Sequence, residues 1–266
     1  MQVTFEANPY SPKLKFHKKD FYINIRGYGK NADWAAVIKE TANQAAENIL
    51  NHKSSEEVLR KITEGVKDAN LITSNLSLRS HTGILRCART GWEHGSEWDG
   101  YSLATPYGKS GNAKYKTYSD RFNKTIENPL TNPFPDIELT RPAKDKKTFL
   151  LHADDKFINA VFEHIDNIYT KLFQKYRAED LKQKDLPHIM ESIAEIRWIL
   201  AHATPWERGS DSIANIFMRA LFKSFGIKTF PAAKGISFDL EAFCTELKEY
   251  TKKFPEYFKK PPEIIE

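Results

Sequence analysis

Cysteine is scarce in this chain: 266 residues contain two, Cys87 and Cys244. Neither falls in a Cys-x-x-Cys pair or a Cys/His zinc spacing, so neither a disulfide framework nor a structural metal is expected to organise the fold. That usage fits folding and working in a reducing cytosol. Long apolar runs are missing as well. No window approaches the about 18 apolar residues that a membrane-spanning helix needs. Gln2 to Asn8 is polar and no apolar stretch follows it, so no cleavable secretory signal is expected, although export by a specialised machine needs none. A strong charge of one sign is also lacking: 40 Lys plus Arg stand against 35 Asp plus Glu, a formal +5. The basic residues are spread out, and the denser runs (Lys13 to Lys19, Lys144 to Lys147, Lys252-Lys253 with Lys259-Lys260) read as solvated faces or tails. A nucleic-acid partner is therefore not expected. No internal repeat is visible, and no Asp/Glu cluster specifies a metal.

What the chain does have is an ordinary apolar fraction, a generous aromatic share, and enough length for a large core. Residues 1–30 alternate in places (Val3, Phe5; Leu14, Phe16; Phe21, Ile23, Ile25), which predicts short strands or an extended wrap. Helical spacing follows over Trp34 to about Asn51. A second helix opens at Ser54-Ser55-Glu56-Glu57, the two making a helical hairpin. From Leu71 to about Tyr118 the pattern dissolves into Gly, Ser and Thr with Trp92, Trp98, Tyr101 and Tyr107. Interleaved with Arg86, Arg89, Lys109 and Lys114, these aromatics suit either a nucleotide base or target peptide, or an irregular surface layer. Prolines 129, 133, 135 and 142 mark a turn-rich connector.

The C-terminal half is the more legible. Helices are predicted from about Asp154 to Tyr176, Leu186 to Ala203, Ser210 to Phe225 (ended by Gly226) and Leu240 to Lys253, before a polar tail. Four amphipathic helices in sequence make a bundle, so the fold class is mainly α. The expected organisation is an extended segment at 1–30, a smaller irregular or α+β lobe with cleft loops at 31–148, a helical core at 149–255, and a tail at 256–266.

One stretch, Leu200 to Ser210, concentrates reactive side chains between two of these helices. Pro205 breaks the first helix after His202. Arg208-Gly209-Ser210 opens the next, with Ser210 as the expected N-cap and Asp211 in the first turn. A helix start leaves backbone N–H groups beside a positive dipole end, and Arg208 adds a planar fork suited to phosphate. The stretch reads either as an anion seat with an imidazole nearby or as an ordinary helix–turn–helix.

Ile196-Arg-Trp198 followed by the Pro-x-x-Arg-Gly-Ser of residues 205–210 resembles the AvrB avirulence effectors of plant-pathogenic bacteria, a divergent branch of the Fic/Doc/AvrB (Fido) superfamily. The match runs without a gap through Ala214, Phe217, Ala220, Gly226-Ile227 and Pro231 to Asp239–Ala242. Upstream, Thr105-Pro106, His152 with Phe157, and Asn167-x-Tyr169 are similar to the family's cleft and pocket segments; residues 1–30 show no likeness. The resemblance implies a bilobal, mainly helical fold and places pocket residues at Thr105, His152, Arg208 and Asp239, with Arg208 at the donor's phosphates, where the helix start adds Gly209 and Ser210; Asp239, orienting a sugar hydroxyl or His202, and His152 are expected to be catalytic. It implies transfer of a deoxysugar from a nucleotide sugar to a hydroxyl of a host protein, after delivery into the host cytosol by a specialised bacterial system. Fic relatives instead transfer AMP from ATP, but their His-Pro-Phe-x-x-Gly-Asn-x-x-Arg signature is absent here. His202 occupies the place of the Fic histidine. It is either a general base, suited by an unperturbed pKa near 6.5, or a partly buried imidazole bonded to the backbone. A protein-binding effector without catalysis is the third reading.

Overall fold

The computed structural model describes residues 14–21, 32–72, 76–86, 95–97, 113–143, 149–233 and 235–265. The chain is mainly helical, as its periodicity predicts. The helices before the connector are α1 (Lys18–Phe21), α2 (Ala32–Leu50), α3 (Ser55–Leu71), α4 (Leu76–His81) and α5 (Ala113–Glu127). After it come α6 (Ile158–Lys175), α7 (Leu186–Ala203), α8 (Ser210–Ser224), α9 (Phe238–Phe243) and α10 (Leu247–Lys253). Short strands β1 (Gly95–Glu97), β2 (Arg141–Pro142) and β3 (Phe149–Leu151) form an antiparallel sheet with β3 in the middle, Leu151 facing both Gly95 and Arg141. A second pair joins β4 (Ile227–Lys228) to β5 (Glu263–Ile264). Among the described residues no helix is long and apolar enough to cross a membrane.

Local chemistry explains several boundaries. The Ser54 hydroxyl accepts the Glu57 N–H at 3.2 Å and starts α3 where the Ser-x-x-Glu spacing places it. The carboxylate of Asp154 accepts the Lys156 N–H, opening a 3-10 turn that leads into α6. Gly226, at φ 70°, ends α8 as the expected left-handed residue. The hairpin of α2 and α3 closes tightly because Gly65 has no Cβ: one built there would lie 2.3 Å from the Thr41 hydroxyl oxygen.

Helix α8 is the spine. It packs against α2 and α3 on one side and α7 on the other. Ile38 and Ala42 of α2, Ile62 and Val66 of α3, and Phe217 and Leu221 of α8 lie in one hydrophobic cluster with Ile193 and Trp198 of α7. The expected separation of a 31–148 lobe from a 149–255 core does not extend to its helical hairpin, which is built into the main core. The reason is the wide apolar face of α2, which meets α8 directly.

Three further expectations change. The final helix is two helices, interrupted at Cys244–Glu246. Residues 256–266 are not merely a polar tail: Tyr257 and Phe258 are buried, and β5 hydrogen-bonds to the strand that follows α8. In the N-terminal segment, residues 14–17 have no regular secondary structure and 18–21 form α1, while the remaining positions of the expected 1–30 segment lie outside the described residues. Phe16, Phe21 and Asp20 are buried there, Asp20 lying 3.7 Å from the fully buried Arg219 of α8.

Candidate functional site

The loop between α7 and α8 folds as a strained, heavily fastened turn. Helix α7 ends at Ala203, and Thr204 takes the left-handed conformation at φ 39°, ψ 58°. A buried, β-branched residue in that region, placed before a proline, is disfavoured by roughly 1–3 kcal/mol and persists only when its surroundings fix it. Arg86 is the fixing group. Its guanidinium donates to Thr204 O (2.6 Å), Ala203 O (2.5 Å) and Ala153 O (2.9 Å), placing a cation on the last carbonyls of α7 and tying them to the residue after His152. The backbones then interlock: Arg86 N–H donates to Pro205 O, Glu207 N–H to Ile84 O, and Gly83 N–H to Arg208 O.

The start of α8 differs from the expected one. Gly209, not Ser210, is the N-cap, at φ 90° with no side chain capping the helix. Ser210 is the first helical residue, and its hydroxyl turns back on the loop, donating to Trp206 O (3.0 Å) and accepting the Trp206 N–H (3.1 Å). Glycine is required at 209 on two counts. The positive φ is one, and a Cβ there would lie 3.1 Å from Thr82 Cγ2. Asp211, in the first turn, complements the helix dipole in place of a capping side chain.

Arg208 stands exposed beside that start. His152, at the end of β3, is near enough to feel it. Burial pushes the His152 imidazole down to about 3, and the Arg86 and Arg208 guanidiniums add to the depression. Arg86 and Arg208 thus act electrostatically on His152, and Arg86 also bonds the carbonyl of the adjoining Ala153. The expected Thr105 contact lies outside the described residues, as does most of the aromatic loop from Trp92 to Tyr107.

Asp239 is buried on α9 and meets α8 indirectly. Arg197 of α7, wholly buried, donates through Nη1 to Asp239 Oδ1 at 2.5 Å and through Nη2 to Asp211 Oδ1. Burial pushes the Asp239 carboxyl upward and Arg197 opposes that, while Asp211 reinforces the rise. One guanidinium so joins α7, α9 and the first turn of α8. Asp239 is held by an ion pair, and its link to the anion-seat helix runs through Arg197 and Asp211.

His202 does not match the expected general base. It is completely buried, its Nδ1 3.2 Å from Thr140 O and its Nε2 3.0 Å from Ala242 O, with its ring packed between Trp198 and Phe243. A group that takes a proton from an incoming hydroxyl must be reachable. This ring is instead a core histidine bonded to the backbone, and burial lowers its pKa to about 4.

That placement carries a pH prediction. A histidine with its folded pKa below the unfolded value of about 6.5 adds stability at pH above 6.5, lost as pH falls toward 4. For His202 the shift corresponds to on the order of 3 kcal/mol. Chemical denaturation from pH 7 to 4 should show a smaller stability loss in His202→Gln than in the unsubstituted protein. Equal slopes would contradict it.

Arg197 and Asp211 are residues around Asp239 that sequence reasoning did not assign to the site. Arg197 lies inside one matched motif and Asp211 directly follows the other, but nothing in the spacing says that they meet. Among the described residues no group of three His, Cys, Asp or Glu could hold a metal ion.

Residues 119–261 match the family model AvrB_AvrC, described as avirulence protein. Avirulence protein B of Pseudomonas savastanoi pv. glycinea is 27% identical over 103 residues, which is 39% of this chain and 30% of the relative. The aligned part thus spans less than a third of that relative's length.

Proposed function

The chain belongs to the AvrB/AvrC avirulence-protein family, and from that premise we propose that it is an effector acting inside host cells, transferring a group from a nucleotide donor to a hydroxyl of a host protein. The favoured group is a deoxysugar carried by a nucleotide sugar. The observation that supports this most is the convergence of Arg208, Arg86 and His152 beside a 15-residue helix whose N-terminus has no capping side chain. Departure of a nucleoside diphosphate builds negative charge, and a guanidinium at a helix start is suited to receive it. His152, kept neutral by its surroundings, offers a hydrogen bond to the donor without competing for the anion. Thr105 is proposed to hydrogen-bond the donor, and Asp239 to position the helix start through Arg197 and Asp211. Adenylyl transfer from ATP is the less favoured chemistry, because His202, in the place where that reaction's base is expected, is sealed in the core.

A binding role toward a host protein has separate support. Leu71, Ile72, Ile84 and Leu85 are 39–50% exposed, and the last two lie on the segment that fastens the α7–α8 loop. Such side chains serve target docking whether or not transfer follows. Incubation with radiolabelled nucleotide sugars and, separately, radiolabelled ATP tests the chemistry in a host-cell extract. Label from a nucleotide sugar on protein is the expected result; label from ATP alone would replace sugar transfer by adenylyl transfer.

A further inference from the structure

We infer that Arg86 is a positioning residue for the donor's anion seat: by clamping Thr204 in its left-handed conformation it sets where Arg208 and the start of α8 stand, a role resting on the donor-transfer reading above. Two rotatable bonds define that conformation, and both lie between the carbonyl of Ala203 and the carbonyl of Thr204. One edge of the Arg86 guanidinium spans the two, Nη2 donating to Ala203 O at 2.5 Å and Nε to Thr204 O at 2.6 Å. Because the guanidinium is planar and rigid, carbonyls held on one edge leave φ and ψ of Thr204 little room. The backbone N–H of the same residue takes the next carbonyl, Pro205 O, at 2.9 Å. Three successive carbonyls of the loop thus end on one residue, and Nη1 reaches a fourth at Ala153.

From Pro205 onward the loop is laced to the segment that carries Arg86. Leu85 bridges Trp206, the Glu207 N–H donates to Ile84 O, and the Gly83 N–H donates to Arg208 O. His81 Nδ1 lies 2.9 Å from Glu207 Oε2. The Ser210 hydroxyl closes the far end back on Trp206. A rotation at Thr204 must carry Arg208 with it or break this lacing, so the backbone of Arg208 is held in register with Thr204.

Stability does not call for a threonine here. Glycine enters the left-handed region freely, as Gly209 and Gly226 do at either end of α8. Thr204 enters it at a cost, Pro205 behind it narrows the choice further, and its buried hydroxyl has no hydrogen-bond partner. A costly conformation held by a dedicated clamp, four residues before the arginine of the proposed seat, answers to a geometric requirement of that seat. Lysine does not suit the clamp, since a point charge on a flexible stem cannot align two carbonyls at once.

Diphosphate binding and amide exchange on the full chain test this. UDP, dTDP and ADP serve as probes, with affinity read by calorimetry well below the melting temperature and folding checked by thermal scan. Arg86→Lys and Arg86→Gln each keep part of the hydrogen-bonding capacity at that position. Both should stay folded and lose affinity by about tenfold. Exchange at the Gly83 and Glu207 amides, which make the lacing, should quicken by about tenfold while amides within α8 keep their protection. Adding Thr204→Gly should return affinity and exchange to within about twofold of the unsubstituted protein, because glycine holds the left-handed conformation without a clamp. The same Thr204→Gly should not restore binding to Arg208→Ala, in which the contact itself is missing. Affinity within about twofold of the unsubstituted protein in both Arg86 variants would overturn the positioning role while leaving the anion seat in place. So would a loss that Thr204→Gly does not recover, which makes Arg86 a direct phosphate contact, or loss of the fold in both variants, which makes the clamp a stability device. Absence of binding of all three diphosphates in the unsubstituted protein would overturn the seat and the positioning role together.

Discussion

Replacing Arg197 with alanine is expected to destabilise the fold by about 3–5 kcal/mol, because it strands Asp239 as a buried carboxylate without its counter-charge. The guanidinium is wholly buried and touches both Asp239 and Asp211, so no side chain or solvent replaces it cheaply. For a domain of this size that corresponds to a melting temperature lower by roughly 10 °C. The sign of the pH response distinguishes this cause from a simple cavity. Without Arg197 the folded-state pKa of Asp239 rises further above its unfolded value, so the deficit relative to the unsubstituted protein is greatest at neutral pH. It shrinks as pH falls and the carboxyl protonates. A cavity alone would give a deficit independent of pH. Adding Asp239→Asn to the Arg197→Ala chain should recover part of the loss at pH 7, read in the same thermal scans. No recovery, with a pH-independent deficit, would count against the buried-charge account.

Arg208→Ala is expected to do the reverse, sparing the fold and removing donor binding. Arg208 is exposed at the start of α8, and an exposed substitution of this kind changes stability by about 0.5 kcal/mol or less. A charge-assisted contact to a phosphate group contributes about 1.5–3 kcal/mol, so affinity for UDP, dTDP or ADP should fall by roughly 10- to 100-fold. Arg208→Lys should retain part of it, a point charge replacing a fork. Calorimetry with each diphosphate, paired with a thermal scan, reads both halves. Unchanged affinity in Arg208→Ala would remove the anion seat and, with it, the proposed chemistry.

How far the fold could be read from sequence depends on where each element's partners lie. α2, α3, α6, α7 and α8 follow their apolar spacing because each presents an apolar face that periodicity detects. The break between α9 and α10 was not legible: Leu240, Phe243, Leu247, Tyr250 and Phe254 keep helical spacing straight across it. Helix α7 was expected to bury a single seam through Ile189, Ile193, Ile196 and Leu200. Instead every residue from Ile196 to Ala203 is buried, since α8, α9, α10 and Thr140, just before β2, surround that end. This encirclement puts Arg197 and His202 inside, and no one-dimensional pattern reports it. The choice of Gly209 over Ser210 as cap turns on Thr82 pressing against the loop, a neighbour more than a hundred positions away. The pairing of His81 with Glu207 is equally non-local. Arg208, by contrast, is singled out by the chemistry of a helix start, and His152 by resemblance alone; both are local in sequence to the segments that suggest them.

The sealing of α8 by residues 254–264 bears on how the molecule is made. Phe254 and Phe258 cover Phe222, and β5 closes over β4. On a translating ribosome the spine helix emerges well before these coverings, so a nascent chain shows the flank of Phe222 and Ile227 to solvent until Ile264 has cleared the exit tunnel. That interval, when a large apolar surface is uncovered and the bundle cannot yet close, is when a holding chaperone has most to grip.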